Sequence, residues 1–203
     1  MFNLLDYISG LISRNSRVLD LGCGDGRLLG YLKSHNDIIG YGIEKNLDNV
    51  KVCIREGHNV FQGDLDECLL EFKDNSYDVA ILSYTLQEIT KPLDVLNDML
   101  RVAKRSIVIF PNFAFWKARF FFLLGFAPKF SLLPYEWHNT PNIRLITIKD
   151  FKHVCKVMNY KIVHEKHLYS SSLLRRFMPL CFGNFFCTRV LFCLEQGDSS
   201  TDA

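Results

Sequence analysis

Short apolar runs alternate with amphipathic stretches along this chain. Val18, Leu19 and Leu21 make the first run, and Ile38-Ile39-Gly40-Tyr41-Gly42-Ile43-Glu44 the second. Val60-Phe61, Tyr77 to Leu82 and Ile107 to Phe110 follow. Runs of this length, bounded by turn formers, read as buried strands. Between them apolar positions recur at helical spacing: Leu28, Leu29 and Leu32; then Leu47, Val50 and Ile54, stopped by Gly57; then Leu93, Leu96 and Leu100 behind Pro92, a residue suited to a first helical turn. Leu4, Leu5, Ile8, Leu11 and Ile12 mark an amphipathic helix before the first strand. The alternation predicts an α/β fold with a doubly wound sheet.

Later in the chain, Thr147 to Met158 reads as a capped helix. Thr147 with Asp150 resembles a capping box, and Ile148, Phe151, Val154, Cys155 and Met158 share a face. Lys161–Glu165 and Arg189–Leu194 are expected to pair antiparallel at the sheet edge. With no repeat and no linker, residues 1–196 are expected to form a single domain, and the polar tail 197–203 is expected to be disordered.

A length of 203 residues suits one domain with a real core, and 48% hydrophobic with 23% charged residues is ordinary for a globular protein. The net charge of +2 is too small for nucleic-acid binding through bulk electrostatics. Seven scattered cysteines without a Cys-x-x-Cys pair suggest reduced thiols in a cytoplasmic protein, not zinc or disulfides. His164 and His167 sit three apart on a predicted strand and so on opposite faces, which argues against a metal site. The N-terminus lacks the basic start of a signal peptide, and the longest uncharged aromatic-rich run, 120–128, is far short of a membrane span of about 20 residues.

Candidate chemistry concentrates where the first strand ends, in Val18-Leu-Asp-Leu-Gly-Cys-Gly-Asp-Gly26. Gly22, Gly24 and Gly26 let the backbone turn sharply and approach a ligand closely. The amide-rich start of the next helix faces that loop and suits a carboxylate or phosphate. A P-loop needs Lys-Ser or Lys-Thr after its glycines, and none follows. A dinucleotide fingerprint needs a small residue at position 27, which is Arg27 here, and would set Asp20 near a pyrophosphate against Coulomb repulsion. An ammonium or sulfonium ligand, such as S-adenosylmethionine (SAM), suits Asp20 instead; an ordinary tight turn is the plainer alternative. Glu44, ending the second strand, is placed to accept both ribose hydroxyls of an adenosine. Asp64 and Leu65 follow the third and would offer a carboxylate to the adenine amino group and an apolar contact to its face. Each acid alone is an ordinary solvated strand-end residue; three at successive strand ends are harder to dismiss.

Residues 111–146 form a long connection, and loops over about 15 residues tend to be functional. Eight of its side chains are Phe or Trp, from Phe113 to Phe130. Asn112–Leu124 reads as a helix ended by Gly125, either packed on its own sheet or serving as a substrate lid or partner surface, with peripheral membrane contact a weaker third reading. Tyr135 and Trp137 beside Arg144 match interface anchors, favoured over the alternative that they simply anchor a loop among the turn formers Asn139, Pro141 and Asn142.

The Asp20 loop, Glu44 and Asp64 together resemble the class I SAM-dependent methyltransferase fold over about residues 16–195, a mostly parallel seven-stranded sheet with an antiparallel edge strand. Phe110-Pro-Asn-Phe-Ala-Phe-Trp-Lys-Ala-Arg119 and Leu133-Pro-Tyr-Glu-Trp-His-Asn-Thr-Pro-Asn-Ile-Arg-Leu145 resemble the methionine-biosynthesis protein MetW family. That resemblance implies a SAM or S-adenosylhomocysteine site and a role as accessory protein to homoserine O-acyltransferase. Asp20, Gly22, Gly24, Asp25 and Gly26 would form its methionine side, Glu44 would hold the ribose, Asp64 and Leu65 would meet the adenine, and Ser83, Tyr84 and Gln87 would lie near the sulfonium. Methyl transfer is not implied with it. Tyr84, Glu88, Asn112, Tyr135, Glu136 and His138 make no recognisable catalytic pair, so an active small-molecule methyltransferase and a ligand-free scaffold stand as alternatives.

Overall fold

The computed structural model describes residues 3–129, 134–169 and 183–197. Its elements are α1 (Leu4–Ser9), β1 (Arg17–Leu21), α2 (Arg27–Asn36), β2 (Ile39–Glu44), α3 (Leu47–Arg55), β3 (Asn59–Gln62), α4 (Leu65–Cys68), β4 (Tyr77–Ser83), α5 (Pro92–Val102), β5 (Ala103–Pro111), α6 (Trp116–Leu123), α7 (Ile148–Val157), β6 (Tyr160–Leu168), α8 (Gly183–Phe186) and β7 (Arg189–Gln196). The strands order as β3-β2-β1-β4-β5-β7-β6. The β1–β2, β1–β4 and β2–β3 pairs are parallel, and β6–β7 is antiparallel. The chain divides into two compact units, residues 1–85 with 91–107 and residues 86–90 with 108 onward.

In the first unit, β1 and β4 are buried along almost their whole length, which is why both read as mainly apolar runs, interrupted by Asp20 and Asp78. Helix starts are set locally. Asn3 and Asn46 accept hydrogen bonds from amides at the starts of α1 and α3, and Pro92 opens α5. The apolar stripe expected along α3 is only partly inward, with Leu47 exposed. Val50 is buried, but Ile54 is 61% exposed and Cys53 takes the inward place.

In the second unit, Phe110, Phe151 and Phe192 pack together from β5, α7 and β7, with ring centroids 4.9 to 6.0 Å apart. Thr147 caps α7 as expected, its hydroxyl accepting the Asp150 amide at 3.2 Å. The late strands are longer than predicted, pairing from Tyr160 with Gln196 to Leu168 with Arg189. His167 is tied to Glu165 at 2.6 Å, and Glu165 also meets Lys152 at 2.6 Å.

The helix predicted over Asn112–Leu124 is shorter and begins at Trp116. Asn112 is spent on the turn before it: Nδ2 donates to the carbonyls of Asn184 and Cys187, and Oδ1 accepts the Ala114 amide. The Phe113 amide donates to the Ile146 carbonyl at 3.1 Å. Gly125, at φ +81°, ends α6 with its amide on the Phe122 carbonyl. Phe113, Phe115 and Ala118 are buried, whereas Phe120, Phe122, Leu123 and Phe126 face outward. The expected disorder of 198–203 lies outside the described residues. Among the described residues, no helix is long and apolar enough to cross a membrane.

Candidate functional site

The strand order reverses between β1 and β4, and in doubly wound sheets ligands bind beyond the carboxyl ends of the strands at that point. The predicted loop lies there. Gly22, Gly24 and Gly26 have φ of +73°, +56° and +81°, a region that L side chains rarely adopt. The Gly22 and Cys23 amides both donate to the Ile43 carbonyl, at 2.8 and 3.1 Å, hanging the loop on the end of β2.

Glu44 completes that attachment. One carboxylate oxygen accepts the Gly24 amide at 2.9 Å and the other accepts the Asn46 amide at 2.7 Å. A carboxylate oxygen has more than one acceptor site, so Glu44 keeps capacity for hydroxyl donors. Its carbonyl accepts the Gly63 amide at 3.1 Å, drawing the start of the Asp64 turn towards the end of β2.

Asp20 sits mid-sheet, opposite Gly42 on β2 and Ile81 on β4, and is 2% exposed. No hydrogen bond or ion pair joins its carboxylate to any described residue. Burial first, then the negative charge of Glu44, pushes its pKa up to about 7. The same burial raises the Cys23 and Cys53 thiols. A buried carboxylate whose charged neighbour is another acid gains most from a cation, which is the chemistry an ammonium or sulfonium end supplies. A Cβ on Gly24 would meet nothing within 4 Å, so there is room in front of the loop. On both counts these residues fit SAM.

The other predicted residues divide. Asp64 caps α4, accepting the Asp66 amide at 3.1 Å, and pairs with Lys45 at 2.7 Å; that hydrogen bond holds its carboxyl below the usual range. Leu65 opens α4, half-buried. Asp25 is exposed and accepts the Arg27 amide at 3.2 Å, a local cap of α2. Ser83 ends β4, and Tyr84 follows at φ +57°, a sparsely populated conformation for a bulky residue. Gln87 falls in the second unit, buried in the short turn Leu86–Glu88, where its carbonyl accepts the Ile143 and Arg144 amides at 2.9 and 3.0 Å.

Three residues that hold the loop escaped the sequence reading. A Cβ on Gly22 would lie 2.5 Å from the Thr85 hydroxyl, and one on Gly26 would lie 2.7 Å from His58 and 3.0 Å from the Cys53 sulfur. Cys53 also donates to the Gly24 carbonyl at 3.3 Å. Of the earlier acid–base candidates, Asn112 is fully spent on backbone groups and Glu136 pairs with Lys129. Among the described residues, no group of His, Cys, Asp or Glu is arranged to hold a metal ion.

Comparison with known proteins identifies the family and the fold. The family model for the methionine biosynthesis protein MetW matches residues 3–194. The bifunctional methionine biosynthesis protein MetXA/MetW of Rhodopirellula baltica is 35% identical over 170 residues, covering 79% of this chain and 27% of that protein. The chain thus spans about a quarter of that relative's length. A SAM-dependent methyltransferase of Mesorhizobium loti superposes with a TM-score of 0.69 at 13% identity, covering 94% of this chain and 96% of the other. One from Archaeoglobus fulgidus gives 0.65 at 15% identity, covering 95% and 94%. Such distant likeness establishes the fold. The match along nearly the whole chain establishes more: this protein belongs to the MetW family of methionine biosynthesis proteins, on a methyltransferase fold.

Proposed function

We propose that this chain binds SAM at the Asp20 loop and acts with homoserine O-acyltransferase, activating or regulating it in methionine synthesis. The partnership is carried by the fused relative, in which a MetW part is joined to a MetXA part in one chain. The ligand half rests on Asp20, a buried carboxylate faced by the like charge of Glu44. Asp20 would take the methionine ammonium, with Gly22, Gly24, Asp25 and Gly26 lying along that end. Glu44 would accept the ribose hydroxyls while still clamping Gly24. Asp64 and Leu65 would border the adenine, and Ser83 and Tyr84 the sulfonium. When bound, SAM would supply an activated methyl group or act as a signal of the pathway's product level. The protein's part is to orient it, with Asp20 held ionised by the ligand's charge.

The test is homoserine acyl transfer by the same organism's acyltransferase, with and without this protein and with and without SAM. A rate increase on adding the protein is expected, changed further by SAM. No change under any condition would refute the partnership. One observation favours small-molecule methyl transfer as a second reading. Tyr84 is held in a strained conformation at the end of β4, as residues at reaction centres often are. Release of S-adenosylhomocysteine from SAM in the presence of cell extract would support it.

A further inference from the structure

The second unit carries an apolar surface that its own core does not use. Helix α6 is apolar on nearly every side, so its eight residues cannot all turn inward. Phe115 and Ala118 are buried, while Phe120 is 54% and Leu123 82% exposed. Just beyond, Phe126 faces outward, its amide held on the Phe121 carbonyl at 2.9 Å. Tyr135 and Trp137 join this surface through the Lys129–Glu136 ion pair, which ties the stretch after α6 to the Tyr135 turn. Trp137 is 79% exposed.

The positions are held, not loose. The Glu136 amide donates to the Asn139 side chain, and the Ile143 and Arg144 amides donate to the Gln87 carbonyl. The Arg144 guanidinium reaches the Thr90 carbonyl at 2.6 Å. Large aromatic side chains on a fixed backbone, rimmed by polar groups, are the composition of binding hot spots. An anionic membrane would instead need available cations beside the apolar face. Among the described residues beside α6, Lys129 pairs with Glu136, Arg119 donates to the Ala114 carbonyl and lies over the Phe185 ring, and Lys117 lies over Trp116.

We infer that the face formed by Phe120, Leu123, Phe126, Tyr135 and Trp137 is where the acyltransferase docks. The inference rests on the partnership proposed above and adds its location. The fused relative supports that occupant, because joining two parts in one chain raises the local concentration of one surface around the other.

The test uses the full chain and the purified acyltransferase of the same organism, with affinity measured by calorimetry. Phe120→Ser/Leu123→Ser and Trp137→Ala are expected to weaken binding at least tenfold and to reduce activation in step. Phe120→Leu, which keeps the apolar contact, is expected to retain binding. All three variants should keep the wild-type melting temperature and SAM affinity, because the changed side chains are exposed. If the wild-type protein binds the acyltransferase and the variants bind equally well, this surface is wrong and the partnership survives. If the wild-type protein neither binds nor activates it, the partnership fails and the surface assignment with it. Self-association in sedimentation, or binding to vesicles of phosphatidylcholine and phosphatidylglycerol, lost in these variants in place of acyltransferase binding, would also overturn the inference, in favour of a second copy or a membrane.

Discussion

SAM affinity should depend on pH through one buried group. Asp20 is raised from an ordinary 3.8 to about 7 by burial, with Glu44 adding like-charge repulsion. The other titratable groups coupled to it are the Cys23 and Cys53 thiols, which burial keeps protonated. A cationic ligand binds the ionised carboxylate, so apparent affinity scales with the ionised fraction, about 3% near pH 5.5 and about half near pH 7. Binding should therefore tighten about 15-fold across that window, which lies below the range where an α-amino group titrates, about 7.7–8.0. The same shift sets the ligand-free stability. Below the unfolded value of about 4 both states are protonated. Between about 4 and about 7 the unfolded chain releases its proton while the folded one keeps it, so stability falls as pH rises and then levels off. At about 1.4 kcal/mol per pH unit, the accumulated loss is about 4 kcal/mol. Asp20→Asn should remove this slope, leave the ligand-free protein more stable than wild type near neutral pH, and abolish SAM binding. Calorimetry at several pH values, in two buffers of different ionisation enthalpy, reads both the affinity and the proton released. A flat affinity from about pH 5.5 to about pH 7, or full binding by Asp20→Asn, would refute the reasoning.

Gly22→Ala combines a φ of +73° with a Cβ only 2.5 Å from the Thr85 hydroxyl, so it should cost at least about 1–2 kcal/mol in denaturant unfolding. Adding Thr85→Ala should return the steric part and leave the backbone part. Tyr84→Gly relieves a left-handed side chain at φ +57° while losing its packing, so stability should stay within about 1 kcal/mol of wild type. SAM affinity should fall with it, and unchanged affinity would remove Tyr84 from the site. Thr147→Ala removes the α7 cap and should cost about 1 kcal/mol without altering SAM affinity, as read by chemical denaturation and calorimetry.

The parts legible in the sequence are those fixed by backbone need or by charge. Three glycines two apart signalled a sharp turn because few other residues tolerate a left-handed backbone, and the buried strands β1 and β4 showed as mainly apolar runs. What supports the loop was not legible, since a glycine does not say which side chain fills the space it leaves. Cys53 shows the reason. Hydrophobicity favoured Ile54 as the inward residue of α3, but the inward face meets the glycine loop, where a small thiol fits against Gly26 and donates to the Gly24 carbonyl. A longer branched side chain at that place would push into the loop, so Ile54 points to solvent. The Phe-rich segment misled for a related reason. With large apolar side chains on nearly every side and only Lys117 and Arg119 as charged breaks, the segment shows no clear polar face, so neither the start of α6 nor its outward side could be read. Its start was decided by Asn112, a polar residue whose three hydrogen bonds shape the preceding turn. Its outward side is seen only in the structure, where Phe115 and Ala118 are buried while Phe120, Phe122 and Leu123 are exposed. Among the described residues, Phe120, Phe122, Leu123 and Phe126 are left exposed, and a docked partner that covers them would complete that packing.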